Sequence, residues 1–73
     1  MSPSALPRVS GAEVVKALVK LGFEVTGTRG SHCKLRSGST VVIVPLHKEL
    51  ATGTLASILR QAGITVDQLK AAL

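Results

Sequence analysis

The sequence predicts an α+β domain in which one helix, three antiparallel strands, a second helix and a short third helix follow one another. Two observations predict this order. The spacing of apolar residues changes from helical to alternating after residue 22, and it returns to helical after residue 50. Glycine-containing turns divide the alternating part into three short segments, which is typical of an antiparallel meander. A three-stranded sheet has to cover its apolar face, so we expect the helices on one face and an open opposite face.

The first helix is predicted to begin at Ser10, because Ser10 and Glu13 have the spacing of a capping box. Gly22 suits the left-handed position just after the helix, and Phe23 is then expected to pack back on Leu18 in a Schellman motif. The side of this helix that is predicted to face the core consists of Val14, Ala17, Leu18 and Leu21.

The first strand is predicted over residues 23–28, where the apolar residues move to every second position. Phe23, Val25 and Gly27 alternate with more polar residues, so we expect this strand to be half buried. The second and third strands are predicted at residues 32–36 and 40–44, after turns at residues 29–31 and 37–39.

The second strand divides its residues between the two faces of the sheet. Cys33 and Leu35 are predicted to face the helices, because successive side chains of a strand point to opposite sides. The open face then carries His32, Lys34 and Arg36.

The last part of the chain is predicted to be helical. Gly63 and Ile64 repeat the helix end that is predicted at residues 22–23. Thr65 and Gln68 form a second capping box that begins a short third helix. The apolar sides of the two helices consist of Leu55, Ile58, Leu59 and Ala62, and of Val66, Leu69 and Leu73.

With 73 residues, the chain is long enough for one domain, which we assign to residues 10–73. Residues 1–9 contain two prolines and two serines without periodicity, so they are predicted to form a flexible leader. The single cysteine, Cys33, excludes an internal disulfide and favours a reducing, cytoplasmic setting. The N-terminus contains no apolar run that would indicate a signal peptide or a membrane span.

The charge of the chain favours a polyanionic partner. Nine Lys and Arg residues against four Asp and Glu residues give a formal net charge of +5. This excess suits nucleic acid or an acidic protein, although a basic surface also serves solubility. Because Phe23 is the only aromatic residue, base stacking on aromatic rings is not expected, and contact with an RNA backbone through cations is favoured.

His32 is the candidate catalytic residue. Imidazole takes up or releases a proton near neutral pH, and the predicted position of His32 is on the open face. In RNA the 2′-hydroxyl is already the nucleophile, so its cleavage needs a base but neither a metal nor another cofactor. Arg29, Lys34 and Arg36 would bind phosphates and stabilise the negative charge of the transition state. An exposed histidine without a catalytic role is the alternative interpretation.

Five other residues are candidates for supporting roles. Gly30 and Ser31 would position a phosphate at the turn before the second strand, and Lys16 and Lys20 are candidates for outer contacts with RNA. His47 is a candidate second acid–base residue that would protonate the 5′-oxygen leaving group, with a plain surface role as the alternative. The spacing of the two histidines and the carboxylates matches no metal-ligand pattern, so no metal site is predicted.

Five segments of the chain occur in an order and spacing that are typical of a known family. They are Ser10-Gly11, Leu18-x-x-Leu21-Gly22-Phe23, Arg29-Gly30-Ser31-His32, Val44-Pro45 followed by His47 and Lys48-Glu49-Leu50, and Gly53-Thr54-Leu55-x-x-Ile58-Leu59-Arg60-Gln61-Ala62-Gly63-Ile64. Together they resemble the HicA (YcfA-like) toxin family over residues 10–69. Thr52 departs from the family pattern, in which a proline is common at that place, and the loop after Pro45 is shorter than in many members.

The resemblance implies a fold like that of double-stranded-RNA-binding domains and an mRNA interferase activity. It also implies an antitoxin partner, HicB, which binds and blocks the toxin. The catalytic histidine of the family maps onto His32 of this chain. We therefore expect a metal-independent endoribonuclease that acts on mRNA in the cytoplasm, without a membrane or a small-molecule cofactor. The alternatives are a non-catalytic RNA-binding module that uses the same basic face and a subunit that binds only an acidic protein.

Overall fold

A computed structural model describes residues 5–73, and the order of their elements is the predicted one. The elements are α1 (Gly11–Lys20), β1 (Glu24–Arg29), β2 (His32–Ser37), β3 (Thr40–Pro45), α2 (Thr52–Ala62) and α3 (Val66–Ala72). The three strands form one antiparallel sheet in the order β1-β2-β3. The predicted α+β class is therefore confirmed.

Local hydrogen bonds define both ends of α1. Ser10 Oγ accepts a hydrogen bond from Glu13 N–H at 3.1 Å, and Glu13 Oε1 accepts one from Ser10 N–H at 2.8 Å. At the other end, Gly22 has a φ of 100°, and Phe23 N–H donates to the Leu18 carbonyl at 2.9 Å. Both the predicted capping box and the predicted Schellman motif are confirmed.

The other two helices have some of the same capping motifs. Thr65 and Gln68 form the predicted capping box of α3, and Gly63 ends α2 with a φ of 70°. The start of α2 differs, because Ala51 stands at its N-cap and provides no side-chain hydrogen bond. Among residues 5–73, no helix has the length and apolar character that crossing a membrane requires.

The helices and the sheet enclose one hydrophobic core. Burial alternates along β2 and β3, so one face of the sheet is buried against the helices and the other is open. The side chains that are almost completely buried in this core are Val14, Leu18, Leu35, Val42, Val44, Leu55, Ile58 and Leu69. The sequence pattern therefore correctly predicts a sheet with helices on one face.

Two predictions about burial are wrong. Leu21 was expected in the core, but it is the C-cap residue of α1 and is 37% exposed. Leu73 lies at the end of α3 and is likewise exposed. Both residues are the C-cap residues of their helices, where the regular helical geometry from which their burial was inferred ends.

The prediction that β1 is half buried is also wrong, because all six of its residues are exposed. β1 and β3 are the two edge strands of the sheet, and α1 packs on both of them. The main contact of α2 with the sheet is on β3, so β1 is the less covered of the two edges. Val25 is paired with the buried Leu35 but remains 43% exposed. Phe23, just before β1, is the residue of this segment that enters the core.

The end of the segment that was predicted to be a leader contributes to the core. Val9 is buried, and its carbonyl accepts a hydrogen bond from Leu50 N–H at 2.8 Å. Leu6 packs against the core from outside. The first part of the predicted leader, residues 1–4, lies outside the described residues.

Candidate nucleic-acid interface

The open face of β2 presents the basic residues that the alternation predicts. His32, Lys34 and Arg36 are exposed, and the buried Cys33 and Leu35 lie between them. Because Cys33 faces the core, its thiol is shielded from solvent. β2 therefore contributes an imidazole, an ammonium and a guanidinium group to this face.

Arg29 joins this face through an irregularity in β1. Its residue partner in β2 is His32, and residues that lie opposite each other in a sheet share a face. Strict alternation from Phe23 would have placed Arg29 on the buried face. The register shifts between Val25 and Gly27, so Thr26 is an extra residue in β1. The residues after Thr26 therefore lie on the opposite face from the one that strict alternation gives them.

Three rows of residues cross the open face from β1 through β2 to β3. One row consists of Arg29, His32 and Pro45, the next of Gly27, Lys34 and Ile43, and the last of Glu24, Arg36 and Val41. An open cavity of about 640 Å³ lies over the first two rows. It is lined by Thr26, Gly27, Thr28, Arg29, His32, Lys34 and Ile43.

The turn between β1 and β2 places His32 at the end of the sheet. Gly30 has a φ of 58°, which explains why glycine suits this position. The Ser31 carbonyl accepts a hydrogen bond from Leu46 N–H at 2.6 Å. The turn is therefore tied to the segment that follows β3, and both Gly30 and Ser31 are exposed beside the cavity.

His47 lies near this end of the sheet but does not line the cavity. Its carbonyl accepts a hydrogen bond from Gly11 N–H at 2.9 Å, so its backbone is held against the start of α1. His47 comes two residues after Pro45, and Pro45 is paired with His32 in the sheet. From standard backbone spacings, the Cα atoms of the two histidines are within roughly 13 Å of each other.

The structure separates the remaining basic candidates from the cavity. The Arg36 side chain donates from Nε to the Gly38 carbonyl at 2.8 Å, in the turn at the opposite end of β2. Arg36 is four positions from His32 along the strand, which corresponds to about 13 Å. Lys16 and Lys20 lie on α1 and line a different cavity, together with Ala72 and other residues.

The described part of the chain, residues 5–73, contains no group of three or more His, Cys, Asp or Glu residues that could hold a metal ion.

Sequence reasoning missed two features of this site. One is the extra residue Thr26, whose Oγ1 donates to the Lys34 carbonyl at 3.3 Å. The other is the cavity over Gly27, which forms only when the three strands come together. The only sequence signal for either is a glycine inside a predicted strand, which often marks a bulge or the close approach of a ligand.

The fold and this face define a small α+β domain with a histidine and several cations on an open sheet. Comparison with known protein families matches residues 11–64 to the HicA toxin of bacterial toxin–antitoxin systems. The chain belongs to this family of toxins, whose members are in general ribonucleases and have an antitoxin partner. Comparison with curated proteins gives no match.

Proposed function

We propose that this chain is the toxin of a HicAB-type system and cleaves mRNA as an endoribonuclease, with His32 as the general acid–base residue. One observation carries the proposal. His32 is exposed at the open cavity, where Arg29 is its partner across the hairpin and Lys34 also lines the wall. A proton-transfer group and two cations therefore surround one space that is accessible to RNA.

The reaction follows from the chemistry of RNA. His32 accepts the proton of a 2′-hydroxyl as that oxygen attacks the adjacent phosphorus. The bond from phosphorus to the 5′-oxygen then breaks, which leaves a 2′,3′-cyclic phosphate and a 5′-hydroxyl. Arg29 and Lys34 stabilise the additional negative charge on the phosphate oxygens in the transition state. Because the nucleophile belongs to the substrate, the reaction requires no metal ion.

The 5′-oxygen leaving group needs a proton from a second group. His47 is the candidate, because its backbone is fixed to α1 near the same end of the sheet as His32. Its side chain is exposed and outside the cavity, so it would reach the leaving group from the rim.

Binding of the substrate is expected to depend on phosphate contacts. Arg29 and Lys34 lie at the cavity, Gly30 and Ser31 border it, and Arg36 lies farther along β2. Contacts of this kind position RNA without reading its sequence, and they weaken as the salt concentration rises. Lys16 and Lys20 remain candidates for outer contacts, which would require RNA to extend around α1.

The cognate antitoxin is proposed to be a HicB-type protein that covers the open face in the cytoplasm. The basic residues of this face favour acidic side chains in the partner. The exposed Ile43 favours an apolar side chain of the partner at the same surface. Such a partner would mask His32 directly. A complex in which His32 stays fully exposed would contradict this part of the proposal.

Cleavage of a mixed mRNA substrate in excess EDTA tests the proposal, with His32→Ala and Cys33→Ala beside the wild-type chain. We expect His32→Ala to lose about 100- to 10,000-fold in cleavage rate and to keep its RNA binding. Cys33→Ala should cleave at the wild-type rate, because the thiol is buried. Cleavage by neither the wild type nor His32→Ala, with salt-sensitive RNA binding by both, would instead indicate a non-catalytic RNA-binding module.

A further inference from the structure

We propose that the cavity over Gly27 binds one nucleobase of the RNA, next to the phosphate at which cleavage occurs. This inference rests on the proposed ribonuclease function and adds a base-binding subsite to it. The argument concerns three residues in adjacent strands, Gly27, Lys34 and Ile43, which form one row across the open face. The neighbouring row carries Arg29 and His32.

The fold does not require glycine at position 27. The φ of Gly27 is outside the left-handed region, in contrast to Gly22, Gly30, Gly38 and Gly63. A Cβ atom built on Gly27 meets no other atom within 4 Å. Glycine inside a strand lowers stability, because it loses more backbone freedom on folding and has no side chain to pack. A ligand that approaches the backbone closely would explain its presence.

The lining of the cavity suits a base better than a phosphate alone. Ile43 is 39% exposed and gives the cavity an apolar wall beside the cations. The volume of about 640 Å³ lies in the range of small-molecule sites, which extends over about 300–1,000 Å³. Single-stranded RNA is commonly recognised through bases that stack on side-chain planes, and the arginine guanidinium is one such plane. Arg29 therefore has the chemistry to stack on a base that lies over Gly27.

The edge of β1 adds hydrogen-bonding groups for the rim of a base. β1 is an edge strand, so about half of its backbone N–H and C=O groups point away from β2. Thr26, Gly27 and Thr28 all contribute to the cavity lining. A base in this position would have its faces against Ile43 and Arg29 and its edge against the backbone of β1.

The first experiment fills the cavity with a side chain. Gly27→Val places a branched side chain in the cavity above the β1 backbone, and Gly27→Ala places a single methyl group there. Both variants should melt at or above the wild-type temperature, since a Cβ atom at this position meets no other atom within 4 Å and valine suits strands. We expect Gly27→Val to lower kcat/KM for RNA cleavage at least 10-fold and Gly27→Ala to lower it less. Val41→Ile is the matched control, since it adds a methylene to the same face outside the cavity.

The second experiment removes the base from the RNA. A short oligonucleotide with one mapped cleavage position is prepared with an abasic ribose on either side of that position. For the wild type, loss of the base at one of the two positions should lower kcat/KM by roughly 5- to 150-fold, the range measured for base stacking. For Gly27→Val the same abasic substitution should cause no further loss.

The outcomes separate this inference from the proposed function. If Gly27→Val cleaves the intact oligonucleotide like the wild type, or loses as much as the wild type with the abasic substrate, the base-binding subsite is wrong. If the wild type does not cleave RNA, the proposed function is wrong. The subsite is then tested by equilibrium binding of a short single-stranded oligonucleotide, intact and with single abasic riboses along its length: an abasic ribose should weaken binding to the wild type but not to Gly27→Val, and equal losses for both would refute the subsite.

Discussion

Arg29 and His32 lie directly opposite each other across β1 and β2, on the open face of the sheet. Residues paired in this way have Cβ atoms about 4.5–5.5 Å apart. The pairing depends on the register shift between Val25 and Gly27, because Arg29 would otherwise share the buried face with Phe23. The irregular strand therefore places a guanidinium group next to the proposed acid–base residue.

The position of Arg29 predicts a specific effect on the salt dependence of RNA binding. Arg29→Ala should weaken binding to all RNA sequences by a similar factor, and it should reduce the slope of log affinity against log salt by about 0.7 for single-stranded RNA. Fluorescence anisotropy over a series of salt concentrations measures both quantities. Lys70→Ala is the control, because it removes one positive charge from α3, which packs on α1 and contributes no residue to the cavity lining. An equal change of slope in both variants would show that only net charge matters.

Much of the fold could be predicted because its signals are local. The capping boxes at Ser10 and Thr65 depend on hydrogen bonds between residues three positions apart. The alternation in β2 correctly assigns Cys33 and Leu35 to the buried face. In such cases the residues that interact are also close in the sequence, so their spacing is sufficient to predict the contact.

The features that sequence reasoning missed depend on distant partners. The face on which each residue of β1 lies is set by the pairing of β1 with β2. Thr26 contacts the backbone of Lys34, eight residues away. The cavity depends on Ile43, which comes from a third strand. The same holds for Gly11, whose close neighbour Pro45 is 34 positions later in the sequence. No spacing within one element reports these contacts.

The hydrogen bond between Ile43 and Gln61 predicts a role for α2 in covering the edge of the sheet. Ile43 N–H donates to Gln61 Oε1 at 3.3 Å, and Gln61 Nε2 donates to Ser57 Oγ at 3.2 Å. Gln61→Ala should lower the free energy of unfolding by about 0.5–1.5 kcal/mol and leave a backbone donor of β3 open to other chains. Urea denaturation and light scattering at increasing protein concentration measure these effects.

Gln61→Glu is the control for this prediction, because it keeps an acceptor oxygen for Ile43 N–H. We expect its stability to lie closer to that of the wild type and its scattering to stay low. An equal loss of stability in the alanine and glutamate variants would assign the effect to the contact with Ser57.

The uncapped start of α2 predicts that a single substitution stabilises the protein. Ala51 has the extended conformation of an N-cap, with φ −62° and ψ 148°, but it provides no side-chain acceptor. Ala51→Ser should add a hydrogen bond to the first turn and raise the free energy of unfolding by about 1 kcal/mol. For a domain of this size, that corresponds to an increase in Tm of about 4–8 °C. Ser10→Ala is the opposite control, because it removes the cap that α1 already has, and an unchanged Tm in both variants would refute the argument.

The contact between Gly11 and Pro45 predicts that the start of α1 controls both stability and cleavage. A Cβ atom at Gly11 would overlap the Pro45 carbonyl oxygen and lie 2.8 Å from Leu46 Cα. These are backbone atoms, so Gly11→Ala should lower the free energy of unfolding by about 1–3 kcal/mol. Pro45 is the partner of His32, and Gly11 N–H binds the His47 carbonyl, so displacement of this segment should also slow cleavage by the folded protein.

Thermal melting and cleavage below the melting transition measure the two effects of Gly11→Ala separately. Gly53→Ala is the matched control, since a Cβ atom there meets nothing within 4 Å and alanine favours the helix by up to about 1 kcal/mol. The control should therefore melt at or above the wild-type temperature. If Gly11→Ala melts at the wild-type temperature, the segment after β3 moves to accommodate the added methyl group without a loss of stability. A lower Tm with unchanged cleavage would show that α1 stabilises the fold without positioning the residues around His32.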